Sequence, residues 1–288
     1  MKRLSKLSAY YELTKPRIMT MVLVTTALGF YLASEGKAPT GLFAYLLLGV
    51  AMVCGGSSVL NHYLEREFDS KMERTKNRPI PSGIIAPERA LSFGIVLALA
   101  GIFILYVKVN ILTAFLSLLT SFLYIMVYTP MKRFSWLNTT VGAFPGAIPP
   151  LGGWAAATGS LSFEAGILFL ILFIWQHPHF YAIAWMMRED YRRGGFKMLP
   201  VVEPTGERMF RHITWWSYIL IPVSLIPVVI GMSGAIYCTG ALAAGILLLM
   251  TSRRFVLTRS NMLARRLLRA TVVYLPVLLF LIVIDLNF

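Results

Sequence analysis

The chain has 288 residues, 57% of them hydrophobic and only 14% charged, with a mean hydropathy of +0.68. That excludes an ordinary soluble domain, in which about 45–50% of residues are apolar and about 25% charged. Lys and Arg outnumber Asp and Glu 27 to 13, a formal charge of +14, so nucleic acid, an anionic substrate and membrane topology all have to be tested as its cause.

From the N-terminus, apolar runs bounded by charge or turn residues predict membrane-spanning helices at 18–34, 39–64, 90–107, 111–129, 138–157, 163–187, 212–231, 234–251 and 268–286. The first run follows the basic string MKRLSK, as in a signal peptide. It is longer than a signal's apolar region and no small-residue cleavage site precedes Glu35, so it reads as a span. The second ends in NHYLEREFDSKMERTKNRPIPSG, Asn61 to Gly83, where the scarce acids crowd together. The fifth is interrupted by Gly142, Pro145, Gly146, Pro149, Pro150, Gly152 and Gly153. These residues fit either a kinked packing helix or backbone carbonyls facing a cavity.

Near the end of the sixth span His177 and His179 flank Pro178. Two residues apart they do not share a helix face, which argues against a two-His chelate. Each reads either as a polar residue bonded between helices or as a contact to a polar or iron-bearing substrate. Arg188, Glu189, Asp190, Arg192, Arg193 and Lys197 follow. His212, Trp215 and Trp216 read as an interfacial belt, and the six arginines after the eighth span as topology and lipid contact. Cys54 and Cys238, both in apolar segments, read as packing residues rather than a disulfide framework. With no internal repeat or linker, the expectation is an all-α polytopic membrane protein, one domain over 1–288.

Assigning the connections alternately to two sides puts 25 of the 27 basic residues, including Lys2 and Arg3, on the side of the N-terminus, and only Lys37 and Lys108 opposite. Lys and Arg in short loops are retained in the cytoplasm, so the N-terminus is expected inside and the C-terminus outside. The +14 is then mainly a topology signal, with the lipid bilayer and not nucleic acid as partner.

Asn61, Glu65 and Asp69 are spaced i, i+4, i+8, within roughly an 80° stripe of one helix face. An amide and two carboxylates offer hard oxygens suited to Mg²⁺, which binds through one or two carboxylates plus substrate phosphates. Arg74, Lys76 and Arg78 follow at once, and guanidinium forks match phosphate oxygens. A solvated helix end with ion pairs such as Glu67 to Lys71 is the plain alternative. It is disfavoured because the stripe begins inside the apolar run, where polar groups are costly. The loop after the sixth span mixes acids and cations again. It is either a charge run beside the headgroups or a second half-site closing over a shared anion.

The string NxxxExxxD followed by RTKNRPIPSG resembles the first signature of the UbiA superfamily of intramembrane prenyltransferases. ELTKPR at Glu12 to Arg17, YTPMKRFSWLNTTVGAFPGAIPPLGGW at Tyr128 to Trp154 and WQHPHFYAIAWMMREDYRRGGFKMLPV at Trp175 to Val201 resemble its heme branch. The resemblance implies nine helices around a central cavity open to the membrane and capped by two cytoplasmic loops. It implies transfer of the farnesyl group of farnesyl diphosphate to a vinyl group of protoheme IX, giving heme O and diphosphate, in a bacterial plasma membrane, with heme-copper oxidase assembly factors as further partners.

By position, Asn61, Glu65 and Asp69 would hold Mg²⁺, with Asp190 as a second-loop metal ligand. Arg74, Arg78, Lys132 and Arg133 would neutralise the diphosphate, with Glu189 and Lys197 nearby and His179 contacting the heme. Tyr124, Tyr128 and Trp185 would be candidates to face the allylic cation. Glu65 departs from the superfamily's usual Asp, and the spaced second Asp motif is represented only by the adjacent Glu189 and Asp190. The competing readings are prenylation of a quinone-precursor ring and a non-catalytic heme-binding or transport membrane protein.

Overall fold

The computed structural model describes residues 5–35, 37 and 39–286, so Lys2 and Arg3 of the basic arm lie outside the described residues. Its helices in order are α1 (Lys6–Leu13), α2 (Pro16–Ala33), α3 (Thr40–Asp69), α4 (Pro87–Lys108) and α5 (Ile111–Phe122). A π-helical turn (Leu123–Tyr128) leads into α6 (Thr129–Met131), and α7 (Asn138–Ala147), α8 (Pro149–Thr158) and α9 (Phe163–Met186) follow. The chain ends with α10 (Arg188–Arg193), α11 (Leu199–Val202), α12 (Glu207–Val229), α13 (Ala235–Thr258) and α14 (Asn261–Ile284). No strand occurs among the described residues.

Eight segments are long and apolar enough to cross a membrane: α2, α3, α4, Ile111–Met131, α9, α12, α13 and α14. This is an integral, multi-pass membrane protein. The expected fifth span is instead two ten-residue helices, α7 and α8, meeting at Ile148. Pro149 and Pro150 begin α8 and lack the N–H groups that would continue the ladder.

Helix ends differ from the apolar runs in one systematic way. The basic loop expected after the eighth span is largely helix, because α13 continues to Thr258 and α14 starts at Asn261. Only Arg259, at φ +54, and Ser260 turn the chain, with Ser260 Oγ accepting from Leu263 N–H. An apolar run marks where lipid ends. Helical hydrogen bonding continues past that depth wherever capping allows.

Helix α9 sits at the centre, packed against α7, α8, α12 and α14. The larger buried cluster surrounds it, with Leu168, Ile171, Tyr181, Met209, Leu220, Phe255 and Leu278 among its members. A second cluster joins α2, α3, α4, α5 and α8 through Phe30, Leu46, Val53, Leu105, Ala114 and Ala156. The α2–α8 crossing is close enough that a Cβ on Gly29 would overlap the Pro150 carbonyl, and one on Gly153 the Thr26 carbonyl. Small residues permit such backbone approach where lipid supplies no hydrophobic drive between helices. The expected interfacial belt is corrected. Trp215 faces outward, but Trp216 stacks on His177 at 3.9 Å and His212 accepts or donates a 3.0 Å bond with Tyr181 Oη.

Candidate active site

Thirty residues of unbroken helix carry Asn61, Glu65 and Asp69 to the end of α3, and all three are buried, at 1%, 4% and 0% exposure. A solvated helix end is excluded by those values. The expected Glu67 to Lys71 pair is not formed either: Glu67 is exposed and pairs with Arg66 at 3.2 Å, while Lys71 lies over the Phe68 ring.

Each stripe residue is met by a cation from a different segment. Lys15 Nζ donates to Asn61 Oδ1 at 2.6 Å from the α1–α2 junction. Lys132 Nζ donates to Glu65 Oε1 at 2.7 Å from the segment after α6. Arg78 Nη1 donates to Asp69 Oδ2 at 2.7 Å from the loop after α3. Arg78 and Lys132 balance the two carboxylates, and Lys15 adds a further positive charge when it is protonated. Asp69 Oδ1 is buried with no protein partner. An orphaned carboxylate oxygen on the same helix face as an amide oxygen and a second carboxylate supplies donors of the kind a hard divalent cation takes.

Lys15, in the sequence one of the basic residues on the N-terminal side and part of the string ELTKPR, carries a direct contact to the stripe. Its backbone is left-handed, φ 51 and ψ 61, in a non-glycine residue preceding Pro16, a strained conformation of the kind that concentrates at functional sites. Burial, followed by the neighbouring Arg78, lowers its ammonium pKa to about 7. Lys132 behaves oppositely. Burial alone would lower it, but Glu65, Tyr128 and Tyr124 together hold it above the usual lysine value.

The π-helical turn presents Tyr124 and Tyr128 to this centre. Their rings stack at 5.8 Å, Lys132 Nζ lies 4.6 Å from the Tyr128 ring centroid, and Lys15 Nζ lies 3.2 Å from Tyr124 Oη. A Cβ on Gly142 would overlap the Tyr128 ring, which explains one of the glycines in α7. Trp185, the third aromatic candidate, is elsewhere: it packs with Phe210 and Phe255 in the core and carries the Arg188 guanidinium at 4.5 Å.

The second loop closes on the first through backbone. Asp190 accepts from the N–H groups of Glu73 and Arg74, both at 3.2 Å, and Lys197 N–H donates to the Lys132 carbonyl. Asn138 Nδ2 ties in the Lys197 carbonyl at 3.1 Å. Asp190 is thus turned to the backbone of the first loop. Among the described residues no three acidic, His or Cys side chains converge as a metal cluster. Glu189 pairs with Arg192 at 2.7 Å, and the Arg74 and Lys197 side chains are exposed. Arg133 lies over the Phe68 ring at 4.4 Å.

The two histidines of α9 point to different neighbours. His177 Nδ1 donates to the Phe173 carbonyl at 2.8 Å and its Nε2 meets Thr140 Oγ1, so both nitrogens are used. Thr271 gives its hydroxyl proton to the Leu268 carbonyl, so His179 Nδ1 donates to Thr271 Oγ1 at 2.9 Å. That fixes the tautomer and leaves the Nε2 lone pair of His179 without a bond among the described residues. The His179 ring stacks on Trp175 at 4.8 Å.

Comparison with known proteins shows the family of the chain. The model of the UbiA prenyltransferase family matches residues 22–281. A protoheme IX farnesyltransferase of Solibacter usitatus is 44% identical, covering 96% of this chain and 98% of its own. The protoheme IX farnesyltransferase of Salinibacter ruber is 42% identical over 96% and 98%. The chain belongs to the UbiA prenyltransferase family. Solved UbiA-type structures share its fold at low identity. A digeranylgeranylglyceryl phosphate synthase superposes with a TM-score of 0.82 at 17% identity, covering 98% of this chain and 99% of its own. A UbiA homolog from Archaeoglobus fulgidus, bound to DMAPP and Mg²⁺, does so at 0.69 and 16% identity over 96% and 100%.

Proposed function

We infer that this prenyltransferase moves the farnesyl group of farnesyl diphosphate onto a vinyl group of protoheme IX, with water added and diphosphate released, giving heme O. The carrying observation is the buried Asn61–Glu65–Asp69 stripe with one cation on each member. The names of the full-length relatives support the donor and acceptor.

Ionising the allylic C–O bond is the difficult step, because the departing diphosphate gains negative charge as the bond breaks. Lys15, Arg78 and Lys132 are positioned to leave their protein partners for its oxygens, and the exposed Arg74 side chain is free to join them. Arg133, on the Phe68 ring, adds positive potential behind them. Once they have moved onto the bound diphosphate, these cations stabilise the charge that develops as the bond breaks. Asn61 Oδ1, Glu65 and the free Oδ1 of Asp69 would hold Mg²⁺, which when bound supplies charge neutralisation on the diphosphate. Asp190 holds the loop bearing Arg74 and Arg78 in place through two backbone N–H groups.

The farnesyl cation needs a water-poor surface until the vinyl π-electrons attack it. The stacked Tyr124 and Tyr128 rings supply aromatic faces beside the leaving-group site, worth about 2 kcal/mol for a desolvated cation. Water then adds to the cation formed on the acceptor and a proton is lost, leaving a hydroxyethylfarnesyl substituent. His179, with Nδ1–H committed to Thr271, presents an unprotonated Nε2 for the acceptor's iron.

The charge asymmetry supports a plasma-membrane enzyme with its N-terminus and catalytic loops in the cytoplasm and its C-terminus outside, α7 and α8 together making one crossing. Heme-copper oxidase assembly factors are the partners such a product implies.

Purified protein given farnesyl diphosphate, Mg²⁺ and either protoheme or 4-hydroxybenzoate tests the reading. The expected outcome is heme O from protoheme and nothing from the aromatic acid. A prenylated aromatic acid would transfer the enzyme to the quinone class. No product from protoheme, while a control enzyme turns over, would sink the proposal.

A further inference from the structure

Asn61 can serve a cation through only one of its two terminal atoms, and nothing in an isolated asparagine decides which one faces the site. The structure contains a device that decides it. Thr129, fully buried at the start of α6, donates its hydroxyl proton to the Tyr124 carbonyl at 2.8 Å. A hydroxyl has one proton, so the oxygen is left as an acceptor only. Asn61 Nδ2 donates to it at 3.0 Å, which turns Oδ1 to the opposite side, where the Lys15 ammonium sits at 2.6 Å. Lys15 Nζ donates to that oxygen, in keeping with the orientation that Thr129 sets.

The π-helical turn creates this contact. Its i to i+5 register carries the Thr129 N–H back to the Tyr124 carbonyl, so backbone and hydroxyl of Thr129 both converge on that one oxygen. Single π turns inside helices are frequent at functional sites. The turn stands immediately before Thr129 and Pro130, and the same segment delivers Lys132 to Glu65.

We propose that Thr129 is a positioning residue for the cation site, locking the Asn61 amide with its carbonyl oxygen toward the metal. This rests on the reading of Asn61, Glu65 and Asp69 as a divalent-cation site. Thr129 touches neither metal nor substrate and acts through the orientation of Asn61. With Val at 129 the shape is kept but the acceptor is lost, so once Lys15 has left Asn61 for the diphosphate oxygens nothing holds the amide, and its NH₂ turns toward the cation, where it repels.

The test is Mn²⁺ binding in the presence of inorganic pyrophosphate, read from the free-ion EPR signal, alongside the Mg²⁺ dependence of turnover. Thr129→Val is expected to weaken Mn²⁺ binding at least tenfold and to raise the half-saturating Mg²⁺ concentration by the same factor. Thr129→Ser, which keeps the hydroxyl, is expected to stay within threefold of the parent. Thr129→Ala serves the same purpose as Val if the valine variant fails to fold. In an Asn61→Asp background, where both terminal atoms are oxygen, Thr129→Val is expected to have no further effect on Mn²⁺ binding. Unchanged Mn²⁺ binding in Thr129→Val or Thr129→Ala, or equal weakening by Ser and Val, would overturn the proposal. Should Asp69→Asn leave Mn²⁺ binding at the parent level, the cation-site reading itself fails, which is a separate result.

Discussion

Glu65 is a carboxylate 4% exposed inside a membrane protein, and it is tolerated because Lys132 lies 2.7 Å away. Removing one partner of a buried pair leaves an uncompensated charge and costs about 3–5 kcal/mol. Lys132→Met is therefore expected to lower the thermal unfolding temperature in detergent as well as to abolish farnesyl transfer. Asp69→Asn retains the shape and an acceptor for Arg78, so it is expected to stay folded while losing at least two orders of magnitude in turnover. Together the two variants separate stability from chemistry, with thermal unfolding and product formation as the measurements. At this scale the stripe was legible in the sequence because helical spacing fixes which residues share a face. The cations were not assigned to their partners, since Lys15 and Asn61 are 46 residues apart and Lys132 and Glu65 are 67 apart.

Helices α2 and α8 meet through glycine, and adjacent glycines in α8 provide an internal comparison. A Cβ at Gly153 overlaps the Thr26 carbonyl, a backbone atom that cannot move aside, whereas one at Gly152 meets nothing within 4 Å. Gly153→Ala is expected to destabilise by about 1–3 kcal/mol as overpacking does, with Gly152→Ala near neutral, read by unfolding temperature. The two polar loops show a similar dependence of one element on another. Asp190→Ala removes the acceptor for the Glu73 and Arg74 N–H groups, freeing the loop between α3 and α4. The expected result is faster proteolysis within residues 70–83 and about a tenfold rise in KM for farnesyl diphosphate. Protease resistance equal to the parent would show that the clamp carries no weight. The breaks at Pro149 and Pro150 were legible as proline chemistry. The π-helical turn over Leu123–Tyr128 was not, because its residues read as an uninterrupted apolar helix and its register is set by Thr129 and the neighbouring α3.

For the whole molecule, the distribution of Lys and Arg makes a physical statement about which face meets the cytoplasm. In a background lacking Cys54 and Cys238, Ser82→Cys and Ser160→Cys both lie on exposed connections. An impermeant thiol reagent added to intact cells is expected to label the cysteine at 160 and to reach the one at 82 only after lysis. Labelling of both from outside would overturn the orientation. Smaller buried clusters that include Ala147 of α7 and Ala155 of α8 lie between the cluster around α9 and the one joining α2 to α5, and the Asp190 and Lys197 contacts tie the loops together.

The sequence by itself determined that the chain is helical and membrane-embedded, which acids share a helix face, and which family it resembles. Composition, spacing and short strings are local properties, and the bilayer forces helical hydrogen bonding on any long apolar run. Tertiary structure alone decided that Lys15 and not only the expected loop cations belongs to the site, and that Asp190 faces backbone. It also decided that His179 rather than His177 keeps a free nitrogen. Those outcomes depend on distances between segments far apart in the chain, and on which hydrogen-bond donors remain once the helices have packed.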